Sequence, residues 1–160
     1  MNRYVKLIVL LALTMFMQTA CASSADGARV GDFSDVRDKN WKLTEVRAGK
    51  NNVIFRRSML TQENFKDIYT LRFDAERVNG AGCPNRYFAP YEVAEKQAIN
   101  IKPIAATLMI ALFEPEQLKE SEYFAYLEKA NQWNLVKGNL ELRSKNNEGA
   151  DVVLVFGSAD

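Results

Sequence analysis

From residue 40 onward the chain alternates short runs with an apolar side chain at every second position and polar breaks of a few residues. Trp41 and Leu43 share one face of a first strand over residues 40–47, with Lys42 and Thr44 opposite and Glu45 breaking the alternation. Residues 53–57 predict a second strand, and a helical turn is expected near Gln62–Phe65. Tyr69, Leu71 and Phe73 place three large side chains on one face of a third strand. Further strands are predicted at 91–93 and 98–102, the latter with Ile99 and Ile101 on a shared face. A closing meander is predicted at 132–136, 140–143 and 152–156, with Gly138 and Gly149 supplying its turns. Pro103 to Phe113 is the most apolar run of this region and is read as a buried passage into a helix. That helix is expected to start at Pro115, where a missing N–H costs nothing, and to run to about Ala130. Leu118, Tyr123, Phe124 and Leu127 give it an apolar side; Glu116, Lys119, Glu120, Glu122 and Glu128 give it a wet one.

This pattern predicts an α+β domain: a single curved antiparallel β-sheet or half-open barrel, with one main α-helix covering the open side. Its core is expected to hold Trp41, Leu71, Phe73, Ile99, Ile101, Phe124, Leu127, Trp133, Leu142 and Leu154. The stretch Arg77 to Tyr91 stands at the centre. Its glycines, prolines and asparagines, set among Tyr87, Phe88 and Tyr91, predict a tight corner between strands that carries its own aromatic packing.

The first 20 residues follow a different rule. Arg3 and Lys6 precede an apolar core of 11 residues, Leu7 to Met17, which is too short to span a bilayer and has the form of an export signal. Ala20 before Cys21 resembles a bacterial lipoprotein signal, with Cys21 the lipidated first residue of the mature chain; Gln18 departs from that pattern, and cleavage without lipid stays open. Residues 21–37 are small and polar and are read as a flexible tether, with Val30, Phe33 and Val36 candidates to dock on the domain at 38–158. The expected location is therefore the cell envelope, on a membrane (the outer one) and facing the periplasm or the cell surface.

Charge and composition narrow the chemistry. The chain has 21 Lys plus Arg and 20 Asp plus Glu, so losing Arg3 and Lys6 takes the net charge from +1 to −1. Such a chain has no field for a polyanion, and nucleic acid is not an expected partner. There is no histidine; the commonest general base and neutral metal ligand are missing. No catalytic residue, metal site or cofactor is expected.

The order of these motifs resembles the META domain family, also called HslJ-like. Trp41-Lys42-Leu43 matches its opening strand. Gly80, Gly82, Cys83, Asn85, Arg86, Tyr87 and Tyr91 match its glycine–cysteine–asparagine–arginine corner, with the glycine spacing one shorter and Pro84 inserted. Thr107 to Ala111 matches a Thr-x-Met-x-Cys element, with Ala111 in place of Cys. Glu120 to Leu127 matches the helix, and Gly138 to Leu142 the final hairpin, one residue tighter. The resemblance implies a curved antiparallel sheet with a helix, and an envelope protein associated with stress tolerance or virulence. It carries no established reaction. By fold-level analogy to pilot lipoproteins, an acyl chain or hydrophobic segment held in the sheet is the alternative, with Met109, Leu112, Phe113 and Phe124 as its pocket. The expected partners are a membrane, through the lipid anchor, and an envelope protein or lipid; the chain itself is expected to be a monomer.

Other side chains are weighed against plainer roles. Cys83 is read as a small buried corner residue. Asn85 is expected to bond backbone within its turn, and Arg86 to pair with an acid or a carbonyl. Glu114, Glu116, Glu120 and Glu122 are read as a solvated face. Arg47, Lys50, Arg56 and Arg57 form a small basic patch.

Overall fold

The computed structural model describes residues 31–49 and 52–159. The export signal, Cys21 and most of the tether lie outside the described residues, as does Lys50. Ten strands and one α-helix follow the 3-10 turn Phe33–Asp35: β1 Trp41–Ala48, β2 Asn52–Arg56, β3 Thr70–Phe73, β4 Arg77–Ala81, β5 Arg86–Ala94, β6 Ala98–Ile101, β7 Ala105–Ala106, α1 Glu120–Glu128, β8 Gln132–Val136, β9 Asn139–Lys145 and β10 Asp151–Ser158.

Eight strands make a closed antiparallel ring in the order β1-β10-β9-β8-β6-β5-β4-β3, with β3 returning to β1. The fold is thus mostly β. The half-open sheet expected from the alternation is corrected to a closed barrel. Closure falls to β1, which pairs along its whole length with β10 on one edge. Its other edge is shared between β3, at Trp41–Leu71 and Lys42–Thr70, and β2, from Glu45 to Ala48. A closed ring leaves no unpaired main-chain edge, a saving that a half-barrel must find elsewhere. The weakest seam is β6–β8, a single residue pair at Ala98 and Gln132. Helix α1 packs against β6 and β9 and so bridges that seam.

The alternation fails at Glu45 for a local reason. A bulge between Leu43 and Glu45 opposite β10 changes the phase of the strand, so Val46 turns inward and Glu45 stays half exposed beside Arg47 and Arg56. Inward side chains then fill the ring: Leu43, Val46, Phe55, Tyr69, Leu71, Phe73, Leu140, Leu142, Leu154 and Phe156 are essentially inaccessible. Of the expected core only Phe124 is less than buried. The end of the tether joins this core. Phe33 packs edge-on against Phe73 and Trp133, and Val36 accepts the Trp41 indole N–H through its carbonyl at 2.9 Å.

Two further expectations change. The helix begins at Glu120, not Pro115, because the preceding residues are held by other bonds: the Leu118 carbonyl accepts the Tyr69 hydroxyl at 2.6 Å. Pro103 to Phe113 is not a buried passage. After Lys102–Ile104 the chain meets β5 again through β7 and Thr107, and Leu108, Ile110 and Leu112 are 98%, 89% and 86% exposed.

The basic patch is also redistributed. Arg57 turns inward and donates to the carbonyls of Leu43, Phe65, Lys66 and Ile68, tying β1 to the loop before β3. Arg47 and Arg56 pair with Glu45, and Arg47 also with Glu141.

Phe73→Ala should lose about 3–5 kcal/mol in urea unfolding, because the close-packed ring cannot collapse onto the void. A loss below about 1 kcal/mol would mean the interior is looser than the packing described.

Candidate functional site

The corner between β4 and β5 organises one end of the barrel. β4 delivers Gly80, where any Cβ would overlap the Thr70 carbonyl oxygen, and the chain continues to Gly82, where a Cβ would overlap the Glu120 carboxylate and crowd the Phe124 ring. These two positions are glycine because neighbours occupy the side-chain space. Gly82 N–H donates to the Asn85 carbonyl at 2.6 Å, closing the turn; the Cys83–Pro84 peptide within it is cis.

Glu120, the first residue of α1, reaches into this corner. One carboxylate oxygen accepts the backbone N–H of Cys83 at 2.5 Å and of Asn85 at 2.8 Å, and the other accepts the Asn85 side-chain amide at 2.6 Å. Its own N–H donates to the Glu114 carboxylate at 3.2 Å. A carboxylate at a helix N-terminus is favoured by the helix dipole. Glu120 is thus not part of a solvated face.

Asn85, buried, is the second hub. Its Oδ1 accepts from the Thr107 hydroxyl at 2.8 Å and from Met109 N–H at 2.7 Å, and its Nδ2 also donates to the Met109 carbonyl at 3.2 Å. The carboxamide therefore pairs with Met109 as a neighbouring strand would. This replaces the expected bonds within its own turn. Every donor and acceptor site of the side chain is used.

Tyr87 and Tyr123, both buried, meet hydroxyl to hydroxyl at 3.1 Å, and both hydroxyls lie within hydrogen-bond distance of the Thr70 carbonyl, at 2.9 and 3.2 Å, so two protons are shared among three contacts. Burial pushes both phenols well above their ordinary range, as it does Tyr69. Tyr91 sits at the other end of β5, donating to the Asp74 carbonyl at 2.6 Å and stacked near Phe33 and Phe73. Arg86 is exposed and makes no ion pair among the described residues, so its expected pairing is not seen. Cys83 is buried, with its thiol 3.7 Å from the Phe113 carbonyl. Burial, helped by Glu114 and Glu120, pushes that thiol up to about 11.

The four candidate pocket residues do not share an interior cavity. Met109, Leu112 and Phe113 line a surface depression of about 350 Å³ with Phe65, Ile68 and Cys83. Phe124 lies instead against Tyr87 and Tyr123. The residue that sequence reasoning missed is Glu120. Its place among four glutamates hid it; its position at the start of a helix facing an Asn-bearing corner was the available signal.

A closed eight-stranded antiparallel barrel, with a helix pinned by its first carboxylate into a Gly-x-Gly-Cys-Pro-Asn-Arg-Tyr corner, defines a small β-barrel domain with one short helix. The chain matches the META domain over residues 34–159 and belongs to that family. Among solved structures it is similar to one described as the NMR structure of the protein from Burkholderia xenovorans. The TM-score is 0.56 at 15% identity, covering 78% of this chain and 83% of the other, a likeness of fold. No curated protein matches it.

Two outcomes are expected here. Asn85→Ala should cost about 1–3 kcal/mol or more, since it strands Glu120 and the Met109 backbone together, whereas Arg86→Ala should leave the unfolding midpoint within experimental scatter. For pH, a thiol raised from its ordinary 9.0 to about 11 is neutral in the fold where the unfolded chain would ionise it. Its contribution is complete below pH 9.0 and is lost as pH rises to about 11. Unfolding free energy should fall across that window, and Cys83→Ala should flatten the fall; an unchanged slope would show that the thiol does not take part.

Proposed function

We propose that this META domain protein is an envelope lipoprotein, held to a membrane through lipid on Cys21, whose barrel works by binding or structural support and not by catalysis. Envelope stress tolerance or virulence is the setting that its family resemblance suggests, with the outer membrane as its site, facing the periplasm or the cell surface. The observation that supports a binding role is where the polar groups are committed. Asn85, Glu120, Tyr69, Tyr87 and Tyr123 make their hydrogen bonds to the fold itself, while the apolar side chains of 108–113 face outward. The alternative, an acyl chain or hydrophobic segment held inside the curved sheet, loses support because side chains fill that interior.

The anchor is tested on the full chain made in an exporting bacterial host. Intact mass should show a mature protein beginning at Cys21 with the added mass of acyl chains, recovered with membranes. Cys21→Ser should release it to the soluble fraction. An unmodified wild-type chain that is as soluble as the variant would end the lipoprotein reading.

A further inference from the structure

The segment that follows β7 is not itself a strand, but its main-chain bonds run to the barrel on one side only. Thr107 N–H donates to the Arg86 carbonyl at 3.0 Å, and Met109 uses both its N–H and its carbonyl on Asn85. Main-chain groups of successive residues in a strand point to opposite edges. The groups of Leu108 and Ile110 therefore face away from the barrel, and they make no hydrogen bond among the described residues. At 98% and 89% exposure these residues are open to solvent, backbone included.

Soluble barrels normally blunt such an edge with charge, proline or a covering element. From Ile104 to Phe113 the chain carries no charge and no proline. Leu108, Met109, Ile110, Leu112 and Phe113, with Met59 near them across a shared depression, are all exposed. Together they present on the order of 800 Å², close to what one partner contributes to a standard interface and above the ~300–600 Å² of the largest patch on a typical monomer.

We propose that this edge is where two copies of the chain meet, segment 106–110 pairing antiparallel with its mate about a two-fold axis at Leu108. The segment is self-complementary in that register. The outward N–H and carbonyl of Leu108 meet those of the second Leu108, and Ala106 meets Ile110 in both directions, as an isologous interface requires. With no charge in the segment, nothing repels the like copy. A copy of the same chain brings an equal apolar patch, and the area of a stable dimer is reached when Met59, Leu112 and Phe113 close over the paired residues as well. This departs from the monomer expected of the sequence. It rests on the binding half of the proposed function and not on the anchor.

The test is disulfide trapping of the full chain in the envelope of the producing host. Across the axis the two Leu108 Cα atoms would stand about 5.5 Å apart, within disulfide range. In a Cys21→Ser background, Leu108→Cys should give a covalent dimer on mild oxidation, whereas that background alone, with Cys83 buried, and Val136→Cys on β8 should not. Adding Ile110→Lys should lower the trapped fraction at least about ten-fold, a loss of about 1.4 kcal/mol or more, without moving the unfolding midpoint. Absence of trapping at residue 108, or equal trapping at 136, overturns the proposal. So does binding of the purified chain to phosphatidylcholine vesicles that Ile110→Lys abolishes, if residue 108 does not trap; the patch would then belong to a lipid surface. Neither result bears on whether Cys21 carries lipid.

Discussion

The carboxylate of Glu120 is the constraint on which this end of the molecule depends. It comes from the start of a nine-residue helix and satisfies two main-chain N–H groups and one amide in a corner that precedes it in sequence by more than thirty residues. A tight turn folded inward leaves N–H groups that no strand can reach, and leaving one unpaired costs about 1–3 kcal/mol. The helix supplies the missing acceptor, and the corner in return fixes where the helix starts. Asn85 extends the arrangement to Met109, so one carboxylate sets the positions of the β4–β5 corner, α1 and the base of the exposed segment. The glycines at 80 and 82 belong to the same constraint, since a side chain at either would occupy space that Thr70 or Glu120 already fills.

The barrel proper depends on a different economy. Its inner face is aromatic and aliphatic, and most of the polar tips it admits are turned on one another or on carbonyls: Tyr69 to Leu118, Tyr87 and Tyr123 to Thr70, Ser144 to Tyr126; among the described residues the buried Trp133 indole N–H is the exception. Arg57 serves the same purpose at the edge, where its planar fork gathers carbonyls from the loop before β3 that would otherwise lack donors. Tyr69 shows how firmly these contacts hold. A bulky residue with φ of 52° is costly, and here Phe55, Tyr123 and the Leu118 carbonyl fix it from several sides.

Much of the strand layout was legible because one face of each strand is buried and the period of two survives in the sequence. Leu71 and Phe73, Ile99 and Ile101, and the Gly138 turn stand where the alternation placed them; Tyr69 is buried as expected but lies before β3, with φ of 52° in place of strand geometry. Ring closure was not legible, because pairing between β1 and β10 is a property of residues more than a hundred positions apart. The β5–β6 turn was also hidden: Lys96 and Gln97 both take positive φ with no glycine or asparagine to mark it. Hydrophobicity misled most between 104 and 113, where an apolar run reads as core whether it faces inward or outward. At the corner, residue types announced a turn, but the partners of Asn85 and Glu120 come from separate elements that only the fold brings together.

The first and last strands of the domain are neighbours, with Trp41 opposite Ser158 and the Ala159 N–H on the Asn40 carbonyl at 2.8 Å. A chain that emerges amino end first cannot close this ring until β10 arrives. Until then β1 lacks the partner along its longest edge, and the earlier strands form at most an open sheet. Closure of the ring therefore waits for β10 by topology alone, and a copy truncated before β10 loses a wall of the barrel.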